Sequence, residues 1–226
     1  MASGKKPEGV RAAVPAVSMA ASAIDAQAVQ CASELFLERG IAAVKMTEIA
    51  EAAGMGVATL YRHFSTKAAI AVAAAQMMWE RLMSSYDELV ATDAYQRLDG
   101  GSRLEVLLAT YKERVLYLPG FPAFVDELDR LILAGALEGD VVREYAYVLS
   151  CGYSHFQQAY ELGRADGSIA REVDFALFYR SLAHALMSVG SKLSRGEVLP
   201  TDDFSSAHAE LDCIIDMAIR SLRIKG

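Results

Sequence analysis

The chain is short of the residues that stiffen or cross-link a small secreted protein. Three cysteines, Cys31, Cys151 and Cys213, stand far apart in 226 residues. An odd number at such spacing gives no disulfide framework, and no CxxC or Cys/His cluster suggests zinc. Reduced thiols fit a cytoplasmic protein. Only five prolines are present, and runs of alternating β-branched residues are few, so there is little to build a sheet. No uninterrupted apolar run reaches the roughly 18 residues of a membrane span, so no membrane partner is expected. Four histidines, His63, His155, His184 and His208, occur without HExxH, and there is no GxSxG elbow or Gly-rich phosphate loop. His208 and Asp212 are four apart, a spacing that suits a metal but is far commoner as an exposed polar pair. Neither an enzyme nor a metal or cofactor is expected.

What the chain has is helix. Apolar residues make up 53%, with Ala and Leu recurring at helical spacing, which predicts an all-α class. The length suits one domain or two small ones. Ala28, Ala32, Leu35 and Phe36 stripe a first helix over 25–39, with Gly40 as its natural stop. Further helices are expected over 46–53 and 58–64, and from a Ser65 or Thr66 cap to about 90. Others should cover 103–117, run from the 119–122 breaker to 136, cover 139–163, run from an Asp174 cap to 195, and close the chain over 204–222. That makes about nine helices. Residues 1–23 mimic a signal peptide through Lys5, Lys6 and Ala21-Ser22-Ala23, and 1–22 are expected as an arm. Their apolar stretch is mostly Ala and is broken by Pro15 and Ser18, so they read as a disordered arm.

The stretch 47–67, TEIAEAAGMGVATLYRHFSTK, carries most of the functional signal. Ile49, Ala50 and Ala53 form an apolar face, Gly54 and Gly56 break the helix, and Leu60 and Phe64, four apart, pack back. A helix–Gly–helix stretch is most often a hairpin that merely packs. Here the other face of the second helix holds Thr59, Tyr61, Arg62 and His63, followed by Lys67. These are donors to phosphate, where an ordinary solvated face would be mostly Glu and Lys. The pattern is that of a helix-turn-helix whose second helix enters the major groove. Val57, Ala58 and Thr59, near its start and short, are placed for base edges. Arg62 is the best candidate for reading a guanine, with phosphate as its other use.

The total net charge of −7 argues against DNA. Its distribution does not: residues 1–75 hold seven Lys/Arg against six Asp/Glu, and 76–226 hold fifteen against twenty-three. A near-neutral head on an acidic body permits DNA contact at the head alone.

Three motifs, AxxLFxERG at 32–40, IAEAAG at 49–54 and ATLYRHFSTK at 58–67, resemble the tetracycline-repressor (TetR) family of bacterial regulators. The chain departs from the usual family pattern at Lys45, Gly56, Ala58 and Ala68. Beyond residue 70 the likeness thins to GRADGSI at 163–169 and the closing helices. The resemblance implies three helices in a DNA-binding domain over 23–70 and six in a ligand-binding and dimerisation domain over 71–226. It also implies phosphate contacts from Tyr61, His63 and Lys67, and likewise from Thr47 and Lys45.

The body fits a ligand-responsive dimer. Leu182, Ala185, Leu186 and Val189 stripe the penultimate helix, with small residues on its second face, and Leu211, Ile214, Ile215, Ala218 and Leu222 stripe the last. Helices apolar on two faces are buried on two sides, which predicts a homodimer through the last two helices. Trp79, Met83, Tyr86, Tyr111, Phe121, Phe124, Tyr145, Tyr153, Phe156 and Tyr179, with His155 for polarity, are the candidates for a largely apolar effector pocket. Taken singly, each is more often ordinary core. The expected function is a ligand-responsive regulator, a repressor on a palindromic double-stranded operator. The alternatives are an activator, or a helical interaction module that does not bind DNA.

Overall fold

The computed structural model describes residues 23–194, 205 and 207–223. Within them the chain is helical, with no strand: α1 (Ala23–Arg39), α2 (Met46–Ala52), α3 (Val57–His63), α4 (Lys67–Val90), α5 (Asp93–Gln96), α6 (Gly100–Tyr111), α7 (Phe121–Leu133), α8 (Gly139–Cys151), α9 (Tyr153–Asp166), α10 (Phe175–Ser194) and α11 (Ala207–Arg223). The all-α expectation holds. The arm expected over 1–22 and the stretch left between the helices expected to 195 and from 204 lie outside the described residues.

Short polar side chains set the helix starts by accepting otherwise orphaned N–H groups. Ala69 N–H donates to Thr66 Oγ1 at 3.0 Å at the head of α4. Ser102 N–H donates to Asp99 Oδ1 at 2.7 Å, and Leu177 N–H to Asp174 Oδ1 at 3.1 Å. At α2 the cap position falls on Lys45, whose side chain cannot accept. Glu48 supplies half of a capping box instead, taking the Lys45 N–H at 2.8 Å while Arg39 holds its other oxygen at 2.8 Å. Those bonds hold the Glu48 carboxyl below the usual range, Arg39 first.

Three differences from the predicted elements have local causes. Thr92 caps a four-residue turn, α5, in the stretch left between the helices expected to about 90 and from 103, with Tyr95 buried beneath it. The helix expected over 103–117 starts earlier, at Gly100, because Gly100 N–H donates to the Asp166 carboxylate at 2.7 Å and Gly101 N–H to Ser168 Oγ at 2.8 Å. The GRADGSI stretch thus anchors α6 against α9. After Tyr111 the helix slackens into a π-helical turn, Lys112–Leu116, closed by Tyr117 N–H to Lys112 O at 2.9 Å. The single helix expected over 139–163 breaks at Gly152, where α4 crosses so closely that a Cβ would lie 3.0 Å from Met83 Cε.

Helix α4 is shared. It packs on α1 and also meets α6, α7 and α8. Phe36, Ile49, Leu60, Ile70, Leu128 and Phe156 belong to one continuous buried core, each contributing about 1.5–3 kcal/mol by burial. No helix among the described residues is long and apolar enough to cross a membrane.

Candidate nucleic-acid interface and body cavity

The turn between α2 and α3 is sharp because Gly54 takes φ +65, a left-handed value. Gly56 does not need that freedom: it caps α3 in an extended conformation at φ −71. Leu60 and Phe64 are buried and α3 packs on α2, so the opposite face of α3 turns outward. Val57, Ala58, Tyr61, Arg62 and His63 are exposed there, with Thr59 half-buried, and Lys45 and Thr47 are exposed at the start of α2. The helix-turn-helix candidates on α3 and at the start of α2 therefore lie at the protein's surface, Thr59 only in part.

Two of them are engaged within the protein. His63 Nδ1 lies 2.7 Å from Asp25 Oδ1, which fixes its ring against α1. The Lys67 ammonium points back to the turn before α2, donating to Val44 O at 2.9 Å and Ala42 O at 3.0 Å. It keeps one of its three N–H groups for another partner.

That turn is also held from the body. Ile41 N–H donates to Glu127 Oε2 at 2.7 Å and Ala42 N–H to the same oxygen at 3.2 Å. Glu127 is on α7. The sequence reading missed it, since a bond spanning 86 residues leaves no local pattern.

The body contains a cavity of about 550 Å³ between α4, α6, α7, α8, α9 and α10. Of the eleven residues predicted for an effector pocket, Trp79, Tyr111, Tyr145, Tyr153 and Tyr179 line it. Trp79 Nε1–H donates to Tyr145 Oη at 3.2 Å, and burial raises the Tyr145 and Tyr179 phenols to about 12. The other six lie outside it. Phe121 stacks edge-on against Trp79 and Phe124 against Phe36, in the packed layer behind the wall. Tyr86 and Phe156 are buried against each other, and Met83 is wedged against Gly152. His155 faces Asp87 at 3.1 Å. Asp129, Arg180, His184 and Met187 line the cavity unpredicted. Burial raises the Asp129 carboxyl, helped by Asp126 and opposed by His184.

Near the end of the chain, Asp212 accepts from Lys112 Nζ at 2.5 Å and His208 stacks on Tyr117. Among the described residues no group of three or more His, Cys, Asp or Glu could hold a metal.

The family described as "Bacterial regulatory proteins, tetR family" matches residues 29–74. The transcriptional repressor KstR2 of Rhodococcus jostii is 30% identical over 156 residues, 67% of this chain and 70% of its own. The chain belongs to the TetR family. A second relative of this TetR-family protein is the activator FasR of Mycolicibacterium smegmatis, 41% identical over 69 residues, 30% of this chain and 32% of that one. The fold agrees with that of the fatty acid degradation regulator FadR from Bacillus halodurans, with a TM-score of 0.63 and 18% identity over 86% of this chain and 93% of that one. This TetR-family protein is a DNA-binding transcription regulator and not an enzyme. Its helix-turn-helix is a DNA reader and not a packed scaffold.

Proposed function

We propose that this regulator represses transcription by binding a palindromic operator as a homodimer, and releases it when a small, largely apolar effector fills the body cavity. The observation that carries the proposal is the double use of α7. Val125 and Asp129, four apart on one face, line the cavity. Glu127, between them in sequence and so on the other face, holds Ile41 and Ala42 at the entry to α2. An effector pressing on the first face moves the turn that aims the head. Repression is favoured because the overlap with the repressor KstR2 runs well past the head, whereas that with the activator FasR is less than half as long.

Residues 23–70 act as the head and 71–226 as the body in this reading. The second copy meets the first through α10 and α11, whose outer faces show Leu177 and Met217 more than half exposed. Two heads can then enter successive major grooves, roughly 34 Å apart. In each, Val57, Ala58 and Thr59 approach base edges, and Tyr61, His63, Lys45, Thr47 and the remaining Lys67 donor hold phosphates. The test is binding to DNA from the protein's own upstream region, by anisotropy and sedimentation. Two chains per palindrome and lowered transcription are expected. A complex of one chain, or raised transcription, counts against the dimer or the repressor respectively.

Two substitutions separate the contacts. Arg62→Ala is expected to relax base preference at one position per half-site, worth about 1–3 kcal/mol. If affinity falls with preference intact, Arg62 holds phosphate. Lys67→Ala should weaken binding to all sequences and reduce the salt slope by about 0.9. A fall in affinity at unchanged slope assigns Lys67 to the 42–44 turn alone.

A further inference from the structure

His63 ends α3 on its exposed face, and Asp25 stands in the first turn of α1. The imidazole Nδ1 lies 2.7 Å from Asp25 Oδ1, with 30% of the His63 side chain and 13% of the Asp25 side chain exposed. Two atoms that offer only lone pairs repel at that distance, so a proton lies between them, on the more basic nitrogen. A neutral imidazole has one N–H. With that N–H committed to Asp25, neutral His63 presents a lone pair at Nε2, which a phosphate oxygen repels. Only the imidazolium has a second N–H to give.

The charged groups of the surrounding helices are otherwise occupied. From α3 itself, Arg62 Nη2 stands 3.5 Å from Nε2, where it can donate to the neutral ring but not to the imidazolium. On α2, Glu48 is held by Arg39 of α1 and by the Lys45 N–H, and Glu51 is exposed. Lys67 of α4 is turned to the Val44 and Ala42 carbonyls. Among the described residues no charged group besides Asp25 and Arg62 bonds to the ring. Within residues 23–70, His63 is the one histidine and Cys31 the one cysteine. Burial, helped by Glu34, raises the Cys31 thiol, so it keeps its proton up to pH 8. Histidine is the side chain whose ordinary titration falls between about pH 5 and 8, so across that interval the charge of the head changes at His63.

Resting on the phosphate contact proposed above for His63, we propose that Asp25 is a positioning residue for DNA binding. It holds the His63 ring in the Nδ1–H form, so that each chain takes up a proton at Nε2 as it grips a DNA phosphate. The same proton ends the Arg62 contact with Nε2 and frees that guanidinium for DNA. The complex then holds the proton more tightly than the free protein does, so affinity is greatest below neutral pH and declines as the pH rises toward 8.

The test is calorimetry of the full-length protein at pH 6 and pH 8, in buffers of different ionisation enthalpy. The probes are a duplex from the protein's own upstream region and an unrelated duplex of equal length, since a phosphate contact is independent of sequence. Binding to both is expected to be about tenfold weaker at pH 8 for each chain bound, the worth of one charge-assisted hydrogen bond, with net proton uptake. His63→Gln carries an amide N–H that needs no proton, and should bring the two pH values to within about twofold and abolish the uptake. Asp25→Ala lets the neutral ring carry its proton on Nε2, so the pH effect should shrink to about threefold. Imidazole ¹⁵N shifts at pH 8 without DNA read the same point separately: the proton is expected on Nδ1 in the unaltered protein and on Nε2 in Asp25→Ala. Equal affinity at both pH values, while His63→Ala still weakens binding and lowers the salt slope, overturns the proton inference and leaves the phosphate contact standing. If His63→Ala changes neither affinity nor slope, the phosphate contact falls as well. A proton on Nε2 in the unaltered protein at pH 8 overturns the role of Asp25, and needs no variant that folds.

Discussion

Glu127→Ala is expected to speed amide exchange at Ile41 and Ala42 by about 100-fold and to break the proposed link between effector and DNA. Its carboxylate takes both N–H groups through Oε2, and Ile41 is 2% exposed. Hydrogen bonds to a charged acceptor contribute about 1.5–3 kcal/mol each, and the Ile41 donor would be left without its partner in a buried place. A loss of about 3 kcal/mol corresponds to the predicted rate change. Lys67 holds the same turn by its carbonyls, so the turn should loosen rather than unfold. DNA affinity in the absence of effector should fall modestly, and the further fall caused by effector should disappear. Glu127→Gln retains an acceptor oxygen without the charge and should lie between the two. The assignment is lost if exchange at Ile41 and Ala42 is unchanged in Glu127→Ala.

The head was readable from the sequence because its determinants are local. The Leu60–Phe64 spacing, the Gly54 turn and the Thr66 cap each act within a few residues, and each stands where the pattern placed it. The body was readable only in part. Five of the eleven aromatic and polar candidates line the cavity, and all five are Tyr or Trp. The three phenylalanines, with no polar tip to direct to a cavity, went to the solid core. Composition could rank the candidates that way but could not place them. Tyr86 shows the limit: by type it belongs with the lining residues, yet it is buried behind them. Glu127 had no sequence signal, because the N–H groups it satisfies belong to a turn fixed by Gly40, Lys67 and the packing of α7 on α1.

Gly120→Ala should have the larger effect on stability and the more revealing one on function. Gly120 caps α7 at φ +77, and a Cβ there would lie 2.0 Å from Leu37 O, a backbone atom that cannot step aside as a side chain can. Left-handed backbone costs alanine about 1–2 kcal/mol, and the clash adds about 1–3 kcal/mol of overpacking. The thermal midpoint is expected to drop by about 10 °C for a chain of this size. Gly54→Ala is the control. Its φ is +65, but a Cβ there meets nothing within 4 Å, so only the backbone cost applies and the drop should be a little under half as large. Equal drops would show that α7 absorbs the clash by moving. That movement has a direction: Leu37 is in the last turns of α1, and Glu127 lies two turns along α7 from Gly120. Pushing the start of α7 off α1 draws Glu127 away from Ile41 and Ala42, as the effector is proposed to do. At temperatures where it stays folded, Gly120→Ala should therefore bind the operator weakly without effector and show no further response to it. Operator binding as tight as that of the unaltered protein, in a variant that has lost stability, would separate the α1–α7 contact from control of the head.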